Sequence, residues 1–199
     1  KREVGDELMS IVSGADDISV FSKFQELIRG WLPETGATRV DIEYNVIALT
    51  GDVMTWIMVD GERKSVHLPS GLSYPMYDVR PSQVDSHRGA WLYSHFWMET
   101  AEGVLHQEAD WMREPAIDDE PVGNGDAAFE LDQFPRDPEW IPEWMATKAA
   151  AYHKEAERRE RRRQRDRERR AKKKAEAAQA EGNGADEPSS GRVGRSGDE

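Results

Sequence analysis

Five histidines, His67, His87, His95, His106 and His153, are the side chains best suited to proton transfer or metal ligation near neutral pH. None falls in an H-x-H, H-E-x-x-H or other spacing that presents two imidazoles to one ion. His95 and His106 lie in two segments expected to pair as strands, so a two-histidine site with Glu108 could assemble. A metal hydrolase of that kind would retain stoichiometric metal. A pair of strand-surface histidines accounts for the same residues with fewer assumptions. Ser70-Gly71 and Ser94 lack the G-x-S-x-G setting of an exposed nucleophile. No P-loop, G-x-G-x-x-G or H-x-E with paired cysteines occurs. The abundant carboxylates read as solvated surface rather than as a glycosidase pair or nuclease metal site. The expectation is a protein that binds rather than catalyses, without cofactor or metal.

Recognition by charge is the chemistry that remains. The chain has 199 residues and a net charge of −12, unevenly spread. Residues 1–150 hold 28 of the 39 Asp+Glu and 12 of the 27 Lys+Arg, a net of −16, whereas residues 154–174 carry 13 Lys+Arg against 5 Asp+Glu, a net of +8. An acidic body attracts basic proteins and repels phosphate backbones, and a basic arm does the reverse. Asp41, Glu43, Glu108 and Asp110 fall on the polar faces of the first and last strands, with the acidic run Asp118, Asp119 and Glu120 just beyond. Together they form a candidate face for a basic protein partner.

Aromatic residues are the second candidate. Trp56, Trp91, Tyr93 and Trp97 are expected on the sheet face opposite the main core. The preferred account is a second layer in which the exit helix covers that face. Otherwise Trp56, Trp91 and Trp97 are interface anchors. The third candidate is the arm, with Arg158, Arg159, Arg161, Arg162, Arg163, Arg165, Arg167, Arg169 and Arg170. Acids interleave these arginines at helical spacing, which suits a solvated helix. Nonspecific, salt-dependent nucleic-acid binding through 154–174 is the competing use, without base stacking, because no aromatic residue separates the arginines.

These side chains need elements to position them. Asp16 and Asp17 precede apolar residues at Ile18, Phe21, Phe24, Leu27, Ile28, Trp31 and Leu32, an amphipathic helix that Pro33 is expected to stop. Residues 39–49 alternate as a half-buried strand, Thr50-Gly51-Asp52 turns it, and 53–59 and 64–68 follow as strands. Residues 69–89, rich in proline, read mostly as a loop. Residues 91–99 and 104–112 form a second hairpin, and 127–134 a short element of uncertain type. Asp137-Pro138 suits a helix start, and 143–181 has no Pro or Gly and reads as one charged helix. The fold class is α+β: an antiparallel sheet of about five strands with an N-terminal helix packed on it, then a charged helix and a disordered tail. By segment, that is a flexible leader 1–15, a domain 16–145, a basic arm 146–181 and a tail 182–199. There is no cysteine and no apolar run long enough to span a membrane, and no secretory signal is visible. The expected setting is cytoplasmic.

The stretch Ala128-Phe129-Glu130-Leu131-Asp132-Gln133-Phe134-Pro135-Arg136-Asp137-Pro138-Glu139-Trp140-Ile141-Pro142-Glu143-Trp144-Met145 resembles the C-terminal signature of actinobacterial relatives of the YezG-like immunity (antitoxin) family. In that pattern an acidic segment runs into a Phe-Pro-Arg turn and an Ile-Pro-x-Trp exit. The resemblance covers about residues 16–145. It implies a small non-enzymatic α+β protein that neutralises a toxin, often a nuclease, by direct binding. The helix such proteins carry between their hairpins is expected to be shortened here to 69–89, and the arm lies outside the pattern. The alternative function is an adaptor or architectural protein that sits on nucleic acid or a large assembly through its arm.

Overall fold

The fold is given by a computed structural model that describes residues 19–118 and 120–183, with side chains to 177. The expected leader, Asp16 and Asp17, Asp119, and the tail beyond Asn183 lie outside the described residues. The sheet is antiparallel and five-stranded, in the order β3-β2-β1-β4-β5: β1 is Arg39–Ile47, β2 Thr50–Val59, β3 Glu62–Val66, β4 Tyr93–Glu99 and β5 His106–Asp110. The expected architecture is therefore found. In β4, and in β1 as far as Tyr44, buried and half-buried residues alternate, which separates an inner face from an outer one, while the end of β1 from Tyr44 to Ile47 is buried throughout.

The inner face is covered by two helices. In α1 (Val20–Glu34), Phe24, Ile28 and Leu32 are spaced by four and have no exposure. They pack with Val40, Ile42, Phe96 and Met98 of the sheet and with Leu72, Met76 and Val79 of α2 (Ser70–Ser82). The cap of α1 is Ser19, whose hydroxyl oxygen accepts the Ser22 N–H at 3.1 Å. Pro33 does not stop this helix. It sits in the last turn, and the chain leaves the helix at Gly36, with φ +71°.

Helix α2 corrects the reading of 69–89 as mostly loop. Pro75 and Pro81 both lie inside it. Each deletes one helical hydrogen bond, but Leu72, Met76 and Val79 bury one face at spacings of four and three, and that burial holds the helix. The first hairpin turn is corrected as well. It is formed by Ala48-Leu49 rather than Thr50-Gly51-Asp52, with Ile47 opposite Thr50. Ala48 takes a left-handed φ of 52°, and its N–H donates to the buried Glu130 Oε2 at 2.7 Å. A carboxylate distant in sequence thus selects the turn.

The element of uncertain type is α3 (Asn124–Gln133), and Pro138–Trp140 is a single 3₁₀ turn. The last helix, α4, runs from Glu143 to Asn183. Its start, through Met145 and Ala149, packs with Ile47, Leu92, Val122, Ala127 and Ala128 in a second small core. The chain divides into two units between Tyr152 and His153, the second of which contains the rest of α4. Among the described residues no helix is long and apolar enough to cross a membrane.

Candidate protein-binding face

Strand register places the outer-face side chains. Trp56, Asp41, Trp97 and His106 form one row across β2, β1, β4 and β5, and Met54, Glu43, His95 and Glu108 form the next. Asp52, Asn45, Tyr93 and Asp110 make a third row, while Met58, Arg39 and Glu99 make a fourth. The sequence therefore brought Asp41, Glu43, Glu108 and Asp110 together on one face with Trp56 and Trp97. Both described helices of the sheet core lie on the opposite face, and the start of α4 packs in the second core. Within the first unit the exit helix covers this face only in part: the start of α4 packs at its Ile47 end, where Asn45 is also buried, and leaves the rows of Trp56 and Met54 to their neighbours. Met54 is 38 % exposed, and Trp56 and Trp97 are half-buried by their neighbours alone.

The face is acidic but not uniformly so. Asp41, Glu43, Asp52, Glu99, Glu108 and Asp110 oppose Arg39 and Arg63 across the five strands. Arg39 binds both oxygens of Asp41, at 2.7 and 2.6 Å, and reaches Glu99 Oε1 at 2.9 Å. Asp41 Oδ1 also meets His95 Nε2 at 2.9 Å. Burial raises the Asp41 carboxyl, but the hydrogen bonds and charges of Arg39 and His95 outweigh burial and hold it below its ordinary value. Asp110 Oδ1 accepts the backbone N–H groups of Met112 and Arg113, at 2.7 and 3.0 Å, and so shapes the following turn. Glu43, Asp52 and Glu108 make no ion pair among the described residues, so they are the carboxylates with charge left to offer.

The aromatic residues are presented by stacking. Trp97 lies between His95 and His106, with ring centroids 4.9 and 5.2 Å away and planes tilted by 28° and 15°. The guanidinium of Arg63 sits 4.0 Å from the Trp56 ring, so this face already accommodates a cation on an indole. The sandwich also answers the two-histidine proposal. An indole separates the imidazoles, and His106 turns to Glu102 Oε2 at 3.0 Å, so they do not converge. Among the described residues no group of three His, Cys, Asp or Glu side chains could hold a metal ion.

Trp91 does not belong to the face, contrary to the sequence reading. It precedes β4, where strand alternation no longer applies, and it has no exposure. Its Nε1 donates to Gln83 Oε1 at 2.9 Å, and its ring packs edge-on against Tyr44 and Phe96. Asp118 and Glu120 are exposed on a turn beyond the sheet. The segment before that turn reaches the face where the Ala116 N–H donates to Asn45 Oδ1 at 3.3 Å and where the Arg113 guanidinium lies 4.2 Å from the Tyr93 ring. The nine arm arginines are exposed along α4 in the second unit.

Sequence reasoning missed a buried charge cluster that fixes this scaffold. Glu130 and the side chain of Arg136 have no exposure, and Arg80 is 4 % exposed. Glu130 Oε1 accepts from Arg80 Nη2 at 2.7 Å and from Arg136 Nη2 at 3.3 Å. Arg80 also donates to the Trp91 carbonyl at 2.7 Å, and Arg136 to the carbonyls of Ala90 and Trp111, both at 2.6 Å. Burial pushes the Arg136 guanidinium below its ordinary value despite Glu130 beside it. The cluster locks α2, α3, the entry to β4 and the exit of β5 to one another, and its enclosure rules out contact with a partner. Glu130 and Arg136 both lie in the stretch that carries the family resemblance, where their work is structural. No family model matches the chain, and no curated protein matches it.

Proposed function

We propose that this chain is a non-enzymatic, immunity-type protein that neutralises a basic toxin by seating its open sheet face on the toxin's cationic surface. One observation carries the reading: Trp56 and Trp97 share, with Glu43 and Glu108, the part of the sheet's outer face that no described element of the first unit covers, and neither carboxylate has an ion pair among the described residues. Indoles supply the large contact area typical of binding hot spots, while carboxylates speed encounter with a basic partner. At strand spacings of about 4.8 Å, the face measures roughly 20 by 25 Å, a footprint of about 500 Å² that belongs to the small end of the interface range. A toxin whose cleft binds phosphate, as in a nuclease, has the charge this face complements. The resemblance of residues 128–145 to the immunity family points the same way. The expected setting is the cytoplasm, and the action needs no cofactor, because occupying a cleft requires only affinity.

Affinity capture from the source cells tests this, with wild-type protein and the Glu43→Lys/Glu108→Lys variant as parallel baits. A single basic protein held by the wild type and lost by the variant supports the reading. Retention of the same proteins by both baits removes the face from the account.

A further inference from the structure

Ion pairing along the second unit is selective. Glu155 pairs with Arg159, Glu157 with Arg161 and Glu160 with Arg163. Asp166 approaches Arg169 at 3.7 Å, and Glu176 approaches Lys172 at 3.9 Å. Glu160 and Arg163 are likewise 3.8 Å apart, so the acids engage five cations, Arg159, Arg161, Arg163, Arg169 and Lys172, and Arg158, Arg162 and Arg165 have no ion pair among the described residues. Because α4 is one unbroken helix, spacing fixes which side chains share a face. Lys154, Arg158, Arg162, Arg165, Arg169 and Lys172 recur at intervals of four, four, three, four and three, which is one stripe. No acid falls between Lys154 and Lys172 on this line, which Glu176 ends one turn later, and Arg169 and Lys172 are the two stripe members that face an acid. Glu155 and Asp166 border one side, Glu157 and Glu168 the other, and Glu160 lies opposite. The stripe is about 27 Å long at 1.5 Å per residue.

We propose that this stripe binds the phosphodiester backbone of double-stranded nucleic acid. A row of cations on a rigid rod matches a row of phosphates, and binding gains from the release of condensed counterions. Guanidinium groups also present paired donors to phosphate oxygens. Single strands fit less well, because nothing aromatic interrupts the arginines to stack on bases. An anionic membrane surface fits less well too. Beyond Tyr152 the described helix has no large apolar side chain to bury in the headgroup region. The backbone itself is the ligand, so duplex DNA and duplex RNA are both possible sources. Because counterion release drives the contact, it is confined to low and moderate salt. This inference is independent of the immunity reading, since it uses none of the face residues.

Fluorescence anisotropy with labelled 20-base-pair DNA and RNA duplexes tests it, using the full chain from 25 to 200 mM salt. Two variants separate the stripe from bulk charge: Arg158→Gln/Arg162→Gln/Arg165→Gln on the stripe, and Arg163→Gln/Arg167→Gln/Lys174→Gln off it. Glutamine keeps helix propensity, and circular dichroism confirms that both variants stay helical. With about four phosphate contacts, wild-type affinity falls about 100-fold between 50 and 200 mM salt. The stripe variant loses at least tenfold in affinity and most of the salt slope, while the other variant stays within about threefold of wild type. Preference between the DNA and RNA arms names the source. Equal losses from both variants, no duplex binding at 25 mM salt, or tighter binding to phosphatidylserine vesicles than to either duplex would overturn the proposal.

Discussion

Removing the Glu130 carboxylate leaves the guanidiniums of Arg80 and Arg136 without a counter-charge where water is excluded, and frees the Ala48 N–H as well. Glu130→Ala is therefore expected to cost about 3–5 kcal/mol of stability, read by urea denaturation. Replacing all three charges together by Arg80→Met, Glu130→Leu and Arg136→Met costs less than the single losses summed, because no charge is left stranded. The tryptophans separate in the same kind of measurement. Trp91→Ala opens a cavity in the core and costs about 3–5 kcal/mol, whereas Trp97→Ala on the half-exposed face costs about 1 kcal/mol and acts on partner binding instead. Comparable destabilisation by the two would contradict the assignment of their faces. Alternation made the places of Asp41, Glu43, Trp56 and Trp97 legible. The same rule misplaced Trp91, because alternation ends where the strand ends. Little local marked Glu130: Arg136 lies six positions away, but its two shorter bonds go to partners 50 and 82 positions away along the chain.

Among the elements, the loop from Asp85 to Gly89 connects α2 to the entry of β4 and is held at both ends. Asp85 Oδ1 accepts the N–H groups of His87 and Arg88, at 2.8 and 2.9 Å. These backbone bonds, that of Arg88 first, lower the carboxyl to about 2. A depressed native value means the stabilisation is complete above the ordinary carboxylate range and disappears as pH falls toward the native value. The melting-temperature gap between wild type and Asp85→Ala is thus expected to be constant near neutrality and to close between about pH 4 and pH 2. Gly89 has φ +68°, and an added Cβ would stand 2.8 Å from the Phe134 carbonyl oxygen and from Arg136 Cγ. Gly89→Ala should lower stability by at least about 1–3 kcal/mol, seen as an earlier urea midpoint. The strands and α1 were legible because they alternate or repeat cleanly. Helix α2 was not, although Leu72, Met76 and Val79 carry helical spacing. Pro75 and Pro81 spoke for a loop locally, and only packing against the sheet overrules them. The α4 start at Glu143 was readable for the opposite reason, since nothing after Pro142 interrupts it.

For the whole molecule, charge is the organising variable, with an acidic first part and a basic segment after it. The open sheet face concentrates that acidity where two indoles stand, but Arg39, His95 and the backbone of 112–113 already engage Asp41 and Asp110. Composition counted every carboxylate alike, whereas geometry leaves Glu43, Asp52 and Glu108 without ion pairs, with Glu43 and Glu108 in the row beside the indoles. The most direct test is the association rate constant of the captured basic partner with wild type and with Glu43→Lys/Glu108→Lys, measured by stopped-flow from 25 to 300 mM salt. The account predicts association at least tenfold slower for the variant at low salt, with the two rates converging as screening increases. Identical rates and identical salt slopes for both proteins would contradict it.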